Sequence, residues 1–203
     1  MNYKSISVWT LLFSNLLFLI GIYSFNWDWR TILIVYWFEN VVIGLSSIIK
    51  MVTVILTRKN YINFFNLGFF IIHYGLFTVI HGIFLFILIL DIFGMFEPPS
   101  PIIWSSVISG SSILILSHFI SLIYNFYFQG EVRKATIEKL TTEPYIRIIV
   151  MHLVVLFSVI FALLLEKFIP LLSPAVFIVV IKTVVDLLSH KHEHKKYAKI
   201  SLS

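Results

Sequence analysis

Cysteine is absent from the 203 residues. That absence excludes disulfides, thiolate metal sites and iron–sulfur clusters. A metal would have to be held by His, carboxylate, backbone or water. Charge is also scarce: 12% of the residues are Asp, Glu, Lys or Arg, about half of the roughly 25% usual in soluble domains. Apolar residues make up 59%, and the mean hydropathy is +0.97. No soluble fold of this size hides so much apolar surface, so a lipid bilayer is the expected solvent and partner.

Long polar links between apolar runs are missing too, apart from "QGEVRKATIEKLTTEP" at 129–144, and the polar "SHKHEHKK" at 189–196 reads as a solvated helix end. With no repeat, low-complexity tract or link long enough to fold alone, residues 1–203 read as a single integral membrane domain. The net charge of +5 sits in the short links between apolar runs. It therefore reads as topology and not as nucleic-acid binding.

Six apolar runs are long enough to span: about 7–25, 31–56, 66–92, 102–128, 145–166 and 171–190. A span takes about 20 residues. "NWDWR", "TRKNYIN", the proline-bearing "GMFEPPSP" and "KFIPLLSP" separate them. The first run is followed by bulky "YSFNWDW" and not by a small-residue cleavage site, so it reads as a retained helix. The expected class is all-α, a polytopic transmembrane helix bundle.

Lys4, Lys50, Arg58, Lys59, Arg133, Lys134, Lys139, Arg147 and the basic residues of 191–199 fall on one side of such a bundle. Arg30 and Lys167 fall on the other. By the positive-inside rule both termini of this multi-pass protein are expected to be cytoplasmic. Pro144 in "EPYIRI" suits the first position of the fifth helix.

Ionisable residues inside the runs are the candidates for function, because each is costly in hydrocarbon. They are Glu39, His73, His81, His118, His152, Lys182 and Asp186, with His190 at the end of the last run. Helical spacing puts Ser111, His118, Ser121 and Asn125 on one stripe, and Lys182, Asp186 and His190 on another. Asn40, Gly44 and Ser47 share a face beside Glu39. Gly68, Gly75 and Gly82 recur every seven residues, which suggests a smooth groove for close helix contact and a central third run.

At 1.5 Å per residue, His73 and His152 each stand about 10 Å, and His118 about 15 Å, from the cytoplasmic ends of their runs. His73, His118, His152 and His190 could then meet in one slab as ligands of Zn, Fe or Mn, with Asp186 as ligand or base. Glu39 is an alternative base and Lys182 a charge partner or oxyanion stabiliser. His81, Asn40 and Asn125 would complete the polar surround. Such a centre would make a metal hydroxide for hydrolysis of a lipid-like substrate. Three other readings stay open. One is a proton- or ion-coupled transporter. The second is haem electron transfer, with His73 facing His118 or His152. The last is a bundle that its polar groups merely lock.

The segments "YWFEN" (36–40), "HYGLFTVIHGIF" (73–84), "SHFISLIYNF" (117–126), "EPYIRIIVMH" (143–152) and "KTVVDLLSH" (182–190) together resemble an uncharacterised family of small multi-pass prokaryotic membrane proteins. The resemblance draws attention to the polar residues named above and implies no activity. There is a looser similarity to seven-helix intramembrane zinc hydrolases, which have one span more.

Overall fold

The computed structural model describes residues 16, 18–90, 102–165, 176 and 178–184. Within 151–165 the described side chains are those of His152, Leu153 and Phe157. Asp186 and His190 lie outside the described residues, as do most of runs 7–25 and 171–190.

Among the described residues the fold is all-α. Helix α1 spans Trp29–Arg58. A short 3-10 turn at Tyr61–Asn63 leads into α2, Phe64–Ile89. Helix α3, Trp104–Ser121, continues directly into a π-helical stretch, Leu122–Phe128. A second 3-10 turn at Glu131–Arg133 precedes α4, Ile137–Leu165. Residues 18–25 and 178–184 are also helical.

The stretches Trp29–Arg58, Tyr61–Ile89 and Trp104–Phe128 are long and apolar enough to cross a membrane. Their outward surfaces carry apolar groups such as Phe65 (81% exposed) and Ile72 (73%). Water would not favour so wide an apolar face.

The contacts group the chain into two compact units, residues 33–152 and residues 1–32 with 153–203. In the second, "NWDWR" works as a helix-to-helix corner. Asn26 takes a left-handed conformation (φ +53°) and ends the preceding helix. Trp27 then donates its N–H to the Gly21 carbonyl at 3.1 Å. A Cβ on Gly21 would lie 2.5 Å from the Trp27 ring, so only glycine admits that ring. Asp28 caps α1, its Oδ1 accepting the Thr31 N–H at 2.8 Å.

In the unit 33–152, helix α1 packs hardest. Of its apolar window, 56% is buried, against 33% for α2 and 28% for α3. Among these three helices the second apolar run is thus the most buried, where the glycine spacing pointed to the third. Asn40, Gly44 and Ser47 are all buried along its seam, as their spacing predicts.

On α2 the buried seam is Leu67, Tyr74, His81 and Leu88, seven residues apart, flanked by Phe70, Thr78 and Leu85. The glycine column lies one residue to the side. Only Gly82 is in close contact, with Trp37; at Gly68 and Gly75 a Cβ would meet nothing within 4 Å. The expected three-glycine groove is thus a single notch.

At the Arg58 end, a core of Met51, Val54, Ile55, Leu67, Phe70, Leu122, Phe126, Leu140 and Ile148 closes the unit. Arg58 pins the 129–136 link, its Nη2 donating to the carbonyls of Arg133 (3.1 Å) and Ala135 (2.7 Å).

Two expected boundaries move. Helix α4 begins at Ile137, so Pro144 lies inside it and not at its first position. Its ring removes the N–H that would bond the Leu140 carbonyl. The π-helical stretch also changes the register of α3. The seam runs Val107, Ser111, Leu114 and half-buried His118, then passes to Leu122 and Phe126. The extra residue of a π turn thereby moves Ser121 off the seam and leaves Asn125 half-buried. These two residues satisfy each other, Asn125 Nδ2 donating to Ser121 Oγ at 3.0 Å.

Candidate functional site

The polar residues of the unit 33–152 meet in pairs across helices. The first pair joins α1 to α3: Glu39 Oε1 lies 3.5 Å from His118 Nε2. Their side chains are 11% and 23% exposed, respectively. The contact is an ion pair when the imidazole is protonated, and it is longer than a tight charge-assisted hydrogen bond. With one shared proton the couple is neutral overall, whichever group holds it. That suits an apolar span, where a lone charge costs about 2.5–3.5 kcal/mol on insertion scales.

The second pair joins α2 to α4. His73 Nδ1 and the Tyr145 hydroxyl are 2.8 Å apart. Phe69 stacks on the imidazole, with centroids 5.1 Å apart and planes 14° from parallel. Phe77 lies at the same centroid distance, tilted.

The third pair also joins α2 to α4: the rings of His81 and His152 meet edge to face, centroids 4.4 Å apart at 79°. His81 is buried, and neither of its ring nitrogens has a hydrogen-bond partner. Such an unmet buried polar group costs about 1–3 kcal/mol, so a neutral packing role at this position would be better served by Leu or Phe.

Aromatic groups join α1 to α2 beside Glu39. Tyr74 donates its hydroxyl to the Asn40 carbonyl at 2.9 Å. Its ring fills the gap over Gly44, where a Cβ would be 2.5 Å away. Trp37 donates its indole N–H to the Thr78 carbonyl at 2.9 Å and lies against Gly82. Asn40 bonds back to the Tyr36 carbonyl at 3.2 Å. The "YWFEN" and "HYG…HG" segments are thus two sides of one helix interface, and Glu39 projects from its margin to α3.

The described members of the expected common centre stand in these pairs. Among the described residues, no group of three His, Asp or Glu could hold a metal ion. The rings expected to converge are divided: His118 to Glu39, His73 to Tyr145, His152 to His81. The cause is the start of α4. Counted from Ile137, Tyr145 stands level with His73, and His152 stands about one turn-pair further along, near His81. Lys182 is buried in the other unit, while Asp186 and His190 fall outside the described residues. Tyr145, Tyr74 and Trp37 were missed from the sequence. The heptad step from Tyr74 to His81 was the available sign.

A family model described as a family of unknown function (DUF6498) matches residues 1–202. The chain belongs to this family. The match covers every described element of this DUF6498 member, including all three polar pairs. No curated protein and no solved structure matches it.

Proposed function

We propose that this protein is a six-span membrane protein with both termini cytoplasmic, from a prokaryotic plasma membrane, and that it handles protons as a proton-coupled transporter. The Glu39–His118 contact carries the reading. An acid and an imidazole held 3.5 Å apart between two apolar helices form a unit that is neutral with one proton. It becomes charged on gaining or losing one. Gain or loss is then tied to whatever neutralises the charge, which is the physical requirement for coupling a proton to a solute.

The pairwise distribution of histidines favours proton handling over metal-dependent hydrolysis of a lipid. Each described imidazole is matched with one neighbour, whereas a hydrolytic metal needs about three protein ligands and an open position. The transported solute is a small molecule.

Reconstitution tests the reading. The purified protein in liposomes loaded with a pH-sensitive dye should dissipate an imposed pH gradient when its solute is supplied in a screen. Glu39→Gln should fall to the level of protein-free liposomes, while the swapped pair Glu39→His with His118→Glu should recover part of the flux. Flux in Glu39→Gln equal to the unaltered chain would refute it.

A further inference from the structure

Two basic links meet at the Arg58 end of the unit 33–152. Arg58 and Lys59 close α1, and Arg133 and Lys134 close the 3-10 turn before α4. Arg58 brings the links together, its Nη2 donating to the Arg133 carbonyl at 3.1 Å and the Ala135 carbonyl at 2.7 Å. These bonds use both Nη2 hydrogens. The Nε and Nη1 N–H groups of the guanidinium take no acceptor among the described residues. A carbonyl accepts a hydrogen bond but carries no net charge, so the Arg58 cation is not neutralised.

All four side chains are exposed, and none of them forms an ion pair among the described residues. Carboxylates of this end are engaged elsewhere. Glu143 pairs with Lys139 at 3.4 Å, and Glu131 and Glu143 are the opposite charges that act on Lys50. Lys59 adds an independent sign. Its backbone is left-handed (φ +53°), a conformation that glycine takes freely and other residues resist. It lets α1 end with the Asn60 N–H on the Ile55 carbonyl at 3.2 Å, a place where glycine is usual. A lysine there keeps a cation that the chain geometry alone does not call for.

The basic patch borders apolar surface. Ile62 and Phe65, just after Lys59, are each 81% exposed, and Phe128, just before the second link, is 79% exposed. A ligand that satisfies both must carry an anionic head and apolar chains. Free phosphate meets only the first condition, and a neutral lipid only the second.

We propose that Arg58, Lys59, Arg133 and Lys134 bind the headgroup of an anionic phospholipid in the adjoining leaflet, with its acyl chains along Ile62, Phe65 and Phe128. The phosphate accepts N–H donors from the two arginines, and the lysines add charge at the interface. Arg58 stands about 28 Å from Glu39 along α1, and the site does not rest on the proton-handling reading.

Native mass spectrometry of the full-length chain, delipidated in a neutral detergent, tests it. Phosphatidylglycerol and phosphatidylcholine with the same acyl chains are titrated separately, and phosphatidylglycerol should bind more tightly. Each basic side chain near an anionic surface contributes about fivefold. Lys59→Gln should therefore weaken phosphatidylglycerol binding about fivefold and Arg133→Gln/Lys134→Gln about 25-fold. Lys139→Gln removes a charge already paired with Glu143 and should change the affinity little. Unfolding midpoints matching the unaltered chain show that the variants fold; should the double variant not fold, Lys59→Gln gives the same comparison. Equal uptake of the two lipids would overturn the proposal, as would equal losses in Lys59→Gln and Lys139→Gln. Inorganic phosphate that displaces the lipid at equal concentration would show an anion site without lipid recognition, and would overturn it too.

Discussion

Tyr74 donates its hydroxyl to the Asn40 carbonyl across 2.9 Å, and its ring occupies the space that Gly44 leaves beside it. A methyl at position 44 would sit 2.5 Å from Tyr74 Cε1, in contact with a ring that is 4% exposed and has no room to retreat. Gly44→Ala should lower stability by about 1–3 kcal/mol, the usual cost of overpacking. Thermal unfolding in detergent measures it. Tyr74→Phe should cost about 1 kcal/mol through the lost hydrogen bond alone.

The three heptad glycines of α2 should respond differently to alanine. At Gly82 the new Cβ would be 2.9 Å from the Trp37 indole, so Gly82→Ala should displace that ring and weaken its bond to the Thr78 carbonyl. At Gly68 and Gly75 the space is open. There alanine should raise the stability by up to about 0.5–1 kcal/mol through helix propensity, seen as a higher unfolding midpoint. Equal effects at all three positions would contradict the single-notch interface.

The π-helical stretch sets which residues of α3 face the core. Inserting one alanine after Ile123 adds a residue beyond the one the π turn absorbs and turns Phe126 about 100° off the seam. Phe126 is 1% exposed, and losing a buried aromatic costs about 3–5 kcal/mol. The insertion should therefore destabilise far more than Ile123→Ala, which keeps the register. Comparable midpoints for the two would argue that the register carries no weight.

Much of the helical framework was legible because apolar length is a strong signal. Runs 31–56, 66–92 and 102–128 correspond to Trp29–Arg58, Tyr61–Ile89 and Trp104–Phe128. The start of α4 was not, because its first two turns are polar and Pro144 imitates a helix start. That displacement of eight residues carried His152 away from the level of His73 and next to His81. The register change at Leu122 was equally hidden, since nothing in "LIYNFYF" distinguishes a π turn from an α turn. The polar residues themselves were legible one by one: Glu39, His73, His81, His118 and His152 all lie buried or half-buried between helices. Their partners were not, because pairing depends on helix adjacency and register, which one sequence does not specify.

The six-span topology can be tested without removing any native thiol, since the chain has no cysteine. Single cysteines in place of Asn60, Gln129 and Ser203 should react with a membrane-impermeant reagent only from the cytoplasmic side. One in place of Ser100 should react only from the outside. Labelling of Asn60→Cys and Ser100→Cys from the same side would contradict the proposed arrangement.

The most direct measurement is infrared difference spectroscopy of the chain in lipid as the pH is stepped, because it sees the Glu39 carboxyl itself. If Glu39 and His118 share a transferable proton, a carboxylic-acid band should change with pH, disappear in Glu39→Gln and shift in His118→Gln. A spectrum identical in the unaltered chain and Glu39→Gln would show that Glu39 never exchanges its proton, and would contradict the account.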